Sequence, residues 1–154
     1  MTSVRLAEGV LDTIRGHARE TYPDECCGFL LGAVEPGMSS DRRNVGTAER
    51  APNEFAGERR RRFLILPEEL RAAEARADAR GLVVVGFYHS HPDHPARPSA
   101  YDRDHAWPWY VYLVVSITSS EVPAVGVFEL DGDRGEFDEV GFQTGAAPTS
   151  SLGR

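Results

Sequence analysis

The chain has 154 residues, a hydrophobic share of 41% and a charged share of 27%, a balance that predicts one domain with a real core. A net charge of −7 argues against nucleic acid as a partner, since phosphate contacts need clustered Lys and Arg and only ERRRR at 58–62 is locally basic. No apolar run approaches the roughly 20 residues of a membrane span, so no membrane role is expected.

Leu6, Val10, Leu11, Ile14 and Ala18 recur at helical spacing, so residues 4–20 are predicted as an amphipathic helix, ended by Pro23. This segment lacks the continuous apolar core of a signal peptide, and a cytoplasmic location is the expectation. Cys26 and Cys27 are adjacent. Neighbours on a strand point to opposite faces, so these two are expected as reduced, buried thiols. Residues 26–34 (CCGFLLGAV) read as a buried strand, 35–41 as a loop and 43–50 as a strand. Residues 51–62 are polar and irregular; the arginine run reads as a solvated loop, and Asn53 as a turn residue. Phe63–Leu66 is predicted as a short strand. Pro67 then opens a helix that runs to Gly81. Residues 82–88 (LVVVGFY) form a β-branched buried strand. Ser99 is placed to cap a short helix over 100–106. Residues 110–117, 123–130 and 136–142 are strands, with DGDRG at 131–135 as a turn. Trp107 and Trp109 read as core and edge packing. One domain is expected over 1–142, with 143–154 a disordered tail. The element order implies an α/β sandwich with a mixed sheet.

The chemistry lies in 86-GFYHSHPDHPARPSAYD-102. Residues two apart on a strand share a face, so His89 and His91 can grip one ion where a buried strand ends. Asp102 can return from the short helix as a third ligand. Two nitrogens and a carboxylate suit zinc, one per chain, and leave a fourth position open, as in catalytic sites. Such a site needs a proton shuttle that is not a ligand. Glu25, held just before a buried strand, is the candidate. Ser99, one helical turn before Asp102, is placed to donate a hydrogen bond to an oxyanion.

Glu25-x-Cys27-Gly28, then His89-x-His91, seven residues, Ser99, two residues and Asp102, resembles the JAMM motif of the MPN (JAB) metalloprotease family. Pro92 and the PSAYD context resemble its small bacterial stand-alone members. The resemblance implies a cytidine-deaminase-like α/β sandwich. It implies zinc held by His89, His91 and Asp102, with Glu25 as general acid/base and Ser99 at the oxyanion. It implies hydrolysis of the amide bond after the Gly-Gly end of a ubiquitin-like protein. In small bacterial relatives the partner is a sulphur carrier of the ThiS/MoaD type, from which cysteine is released or an extension trimmed. Glycine has no Cβ, so an extended Gly-Gly tail fits a narrow cleft. Such a tail can add to an exposed strand edge, with 51–62 one candidate flank.

Two other readings compete. A non-catalytic MPN-type scaffold would be expected to lack a metal ligand, and this sequence lacks none. A zinc deaminase wants H-x-E and then P-C-x-x-C, and this sequence has neither. His94 reads as a loop residue, His105 as packing or capping the short helix, and Cys27 as a small core residue. His17 has no chemical role on sequence grounds.

Overall fold

Alternation, not helical spacing, governs the first residues. Val4 and Leu6 are buried while Ser3 and Arg5 are not, and Ser3–Leu6 forms a strand, β1. The helix expected over 4–20 starts later, as α1 at Val10–Thr21. Gly9 separates the two with φ 90°, a left-handed turn that glycine takes without strain. This computed structural model describes residues 2–145 apart from 39, 119–123 and 134.

The remaining elements are β2 (Cys27–Glu35), β3 (Arg42–Ala51), α2 (Pro67–Ala79), β4 (Val83–Pro92), α3 (Ala100–Asp104), β5 (Val111–Ile117), β6 (Ala124–Asp131), β7 (Glu136–Glu139) and β8 (Phe142–Thr144). Phe63–Leu66, expected as a strand, has no sheet partner and runs extended into α2. The expected strand over 136–142 is two strands, β7 and β8, on different neighbours. The expected disordered tail begins inside β8 at Gln143 and Thr144; its residues 146–154 lie outside the described residues.

Among the described residues the strands form one mixed sheet of eight, ordered β7-β6-β5-β4-β2-β3-β1-β8. β4 and β5 run parallel, as do β1 with β3 and with β8; the other pairings are antiparallel. The mixed α/β architecture expected from the sequence is the one observed. α1 packs on one face, where Ile14 and Ala18 meet Leu30, Val85, Leu113 and Val115. α2 covers the other, where Ala73 and Ala77 join Phe29, Leu31 and Phe87. The sheet curls around α1. Arg43 of β3 stacks on Trp109 at 4.1 Å and approaches Glu129 of β6 at 3.9 Å. Thr2, beside β1, donates to the same Glu129 at 2.9 Å. Both tryptophans are 45% exposed, so neither is the core residue expected. Among the described residues no helix is long and apolar enough to cross a membrane.

Gly28 shows how tight the centre is. A Cβ there would overlap the Tyr88 ring and the Glu49 carbonyl, so the β2–β4 approach requires glycine.

Candidate metal centre

β4 runs four residues beyond the expected end at Tyr88. Its parallel pairing with β5 continues through His89↔Val114 to Pro92↔Ile117. His89 therefore sits where β4 is paired on both edges, and His91 where it is paired with β5 alone, so the sheet fixes their direction. His89 lies opposite Cys27 on the α2 face. Ser90 points the other way, where its Oγ accepts from the Cys26 N–H at 2.8 Å. That bond ties β4 to the start of β2, next to Glu25.

Asp102 arrives from α3. Ser99 caps this helix: its Oγ accepts from the Asp102 N–H at 3.1 Å, while Asp102 Oδ2 accepts from the Ser99 N–H at 2.8 Å. This reciprocal cap fixes the carboxylate, and it leaves the Ser99 hydroxyl proton free to donate elsewhere. The helix ends at Asp104, two residues short of expectation; His105 closes it, stacked on Tyr101 and bonded to the Tyr101 carbonyl.

His89 Nε2, His91 Nε2 and Asp102 Oδ2 lie 3.1 Å from one another in all three pairs. Ligand atoms at tetrahedral zinc distances stand about 3.3 Å apart, so the triangle fits the ion. His91 Nδ1 faces the Pro95 carbonyl at 3.0 Å. Donating there, it keeps the proton and leaves Nε2 free as a lone-pair donor. His89 stacks on Phe63 at 4.5 Å, and its Nδ1 has no partner. Two imidazole nitrogens and a carboxylate oxygen converging in a buried site are a donor set awaiting a cation.

Burial alone would raise the Asp102 carboxyl, but His89, His91 and the Ser99 N–H outweigh it and hold the group well below the usual carboxylate range. Burial pushes the His89 imidazole down, favouring the neutral form a ligand needs.

Glu25 is only 3% exposed, and its Oε1 has no hydrogen-bond partner. Burial pushes its carboxyl up to about 8, His91 opposes, and Asp102 adds to the rise. A cation on the three ligands would oppose that rise by favouring the ionised carboxylate. The main chain of Glu25 is clamped by the loop read from sequence as merely solvated. Its N–H donates to the Arg59 carbonyl at 2.7 Å. Its carbonyl accepts from Asn53 Nδ2 at 3.1 Å. Asn53 also donates to Arg62 O and accepts from the N–H groups of Phe55 and Leu64. The turn reading for Asn53 was too modest: it is the hub of the loop that seats Glu25. Ser90 and Phe63 also carry site contacts that sequence reasoning missed. For Ser90 the signal was present, since the residue between two same-face histidines must face the opposite layer.

Two openings flank the ligands. One, about 490 Å³, is apolar and includes Phe63, Phe87, Tyr101, Trp107 and Phe137 beside His89 and Asp102. The other, about 330 Å³, is polar and includes Glu25, Arg61, His91, His94, Arg97 and Ser99. Cys26 and Cys27 are both free and buried, and burial raises their thiols to about 11 and further still, so both are inert core residues.

A family model described as prokaryotic homologs of the JAB domain matches residues 7–127. The chain is 42% identical over 123 residues to a desampylase of Haloferax volcanii, covering 75% of this chain and 84% of that one. It is 31% identical over 110 residues to the tail tip assembly protein K of Escherichia phage N15, covering 69% of this chain and 39% of that longer protein. A solution structure of a Desulfitobacterium hafniense protein superposes with a TM-score of 0.77 at 29% identity, over 92% of each chain. One from Salinibacter ruber gives 0.68 at 41% identity, over 91% and 90%.

Proposed function

The chain belongs to the prokaryotic JAB-domain family, a hydrolase of the JAMM type, and we propose from that premise that it is a zinc metallopeptidase. On this reading it cuts the amide bond after the C-terminal Gly-Gly of a ubiquitin-like sulphur carrier of the ThiS/MoaD type, in the cytoplasm. The ubiquitin-like substrate is supported by the similarity to a desampylase. The carrier type rests on the stand-alone motif context around Pro92 and Ser99. Reduced Cys26 and Cys27 suit a reducing compartment.

The observation that carries the reading is the buried, unpartnered Glu25 carboxyl beside three ligand atoms that converge at 3.1 Å. His89, His91 and Asp102 would hold one zinc ion. When bound, zinc supplies a Lewis acid and lowers the pKa of water in its open position to about 7. The Glu25 carboxyl, whose Oε1 has no hydrogen-bond partner, takes the proton from the attacking water and passes it to the leaving amine. The Ser99 O–H, not consumed by the helix cap, donates to the carbonyl oxygen as charge develops. Phe63, stacked on His89, gives that side of the ligand group an apolar wall.

The test is direct. A ThiS/MoaD-type carrier extended by one cysteine after Gly-Gly is incubated with the purified protein, and intact mass is recorded with and without chelator. Loss of one cysteine, blocked by chelator, is expected. A protein that takes up no zinc and leaves every Gly-Gly extension intact would instead be a non-catalytic MPN-type scaffold.

A further inference from the structure

The two openings onto the ligand group differ in chemistry. The larger is walled by aromatic rings. In the smaller, Glu25 and His91 are buried, while Ser99, Arg61 and Arg97 are exposed. We propose that the smaller opening receives the leaving group, and that Arg61 and Arg97 select one that carries a free carboxylate beside the scissile nitrogen. The preferred substrate then ends in a single residue beyond Gly-Gly and is not an internal lysine side chain. The inference rests on the hydrolase reading above and says which leaving group that site takes.

Three observations carry it. Glu25 hands the proton to the leaving nitrogen, and it lines the smaller opening but not the larger. The leaving group must therefore lie on the Glu25 side, with the acyl chain toward the aromatic cavity. Next, the arginines are free to act. Arg59 donates to the Phe55 carbonyl and Arg62 lies over the Tyr101 ring at 4.5 Å, but the side chains of Arg61 and Arg97 have no partner among the described residues. Last, the chain carries net charge −7, so two unpaired guanidiniums at one mouth are not its background. They come from different loops, 58–62 and 93–99, and guanidinium is the group suited to a carboxylate. In the reaction, water adds across the glycyl C–N bond. The hydroxyl stays on the glycyl carbon as a carboxyl group, and the proton goes to the α-amine of the released residue.

The experiment uses one ThiS/MoaD-type carrier ending in Gly-Gly, prepared in three forms. It is extended by one alanine as the free acid, extended by the same alanine as the carboxamide, or joined to the ε-amine of a lysine in an end-capped peptide. The expected order in kcat/KM puts the acid about tenfold above the carboxamide, the size of two exposed charge-assisted contacts. In R61Q/R97Q that ratio falls to near one, and in R61K/R97K much of it returns. Equal rates for acid and carboxamide in the wild-type protein overturn the proposal, as does faster cleavage of the lysine-linked form. A double variant that slows acid and carboxamide by the same factor also overturns it, because the arginines would then attract the body of the carrier. Cleavage of all three forms at one rate removes this inference alone. Cleavage of none removes the carrier substrate proposed above and the inference with it.

Discussion

At the scale of single residues, the proposed mechanism divides the site into groups that hold and a group that moves protons. Glu25→Gln keeps the shape of a 3% exposed side chain but cannot carry a proton. The expected outcome is unchanged zinc content with turnover lowered by roughly 10²–10⁴-fold. His89→Ala and Asp102→Ala are expected to lose zinc and turnover together. Metal analysis alongside a mass-based cleavage assay separates the two classes, and wild-type turnover by Glu25→Gln would dismiss the role given to this carboxyl. His17, silent in the sequence, faces Tyr88 of β4, whose hydroxyl is hydrogen-bonded with Nδ1 at 2.7 Å, with Arg50 of β3 and Glu20 of its own helix nearby. Burial first, then Arg50, lowers the imidazole to about 4. The unfolded chain protonates this group near 6.5, so between these values it binds more protons than the folded one. Stability from this group is complete above pH 6.5 and is lost as pH falls toward 4. His17→Gln is expected to shrink the fall in melting temperature between pH 7 and pH 5. An unchanged difference would mean that carboxylates alone set the acid limb.

Among the elements, the loop over 53–64 matters most, since it seats Glu25 through Asn53 and the Arg59 carbonyl. Asn53→Ala leaves the Glu25 carbonyl and two loop N–H groups without this partner. A cost of about 1–3 kcal/mol in stability is expected, with a drop in turnover and intact zinc binding, measured by denaturant unfolding and single-turnover cleavage. Loss of zinc instead would place Asn53 in support of the ligands. How far each element could be read from sequence follows from where its partners lie. β4, α2 and the α3 cap were legible because β-branched runs, Pro67 and Ser99 act locally. That His89, His91 and Asp102 come together was legible for the same reason, since one strand and one helical turn hold them. β1 was misread because Leu6 and Val10 mimic helical spacing across the turn at Gly9, and only the distant β3 decides the matter. Phe63–Leu66 has strand composition but meets a cavity in place of a strand. The role of Asn53 was illegible, because four bonds to residues 25–64 come together only in three dimensions.

For the whole molecule, the cluster of His89, His91 and Asp102 joins the centre of the sheet to α3, a five-residue helix with no buried residue of its own. Zinc in that position would fasten a lightly packed segment to a rigid one. With free metal at about 100 times its dissociation constant, linkage gives about 2.7 kcal/mol. For a chain of this length, chelation is then expected to lower the melting temperature by roughly 5–10 °C. Calorimetry with and without chelator, and again after zinc is restored, checks this. A melting temperature indifferent to chelator would mean that α3 is held by its cap and by Phe55 and Arg62 on Tyr101 alone.

The curl of the sheet has a consequence in time as well as in space. β1 emerges before both of its neighbours during synthesis and finds β3 early, but its other edge is filled by β8, and Thr2 waits for Glu129, 127 residues later. Pairings of such sequence separation close slowly, because the intervening chain must be ordered before they form. Until residues 142–144 leave the ribosome, a nascent copy therefore carries an open strand edge at β1, and another copy can bind there. The step that closes the described sheet at that edge is the meeting of β1 and β8, and crowding on the polysome is where that step is most exposed to error.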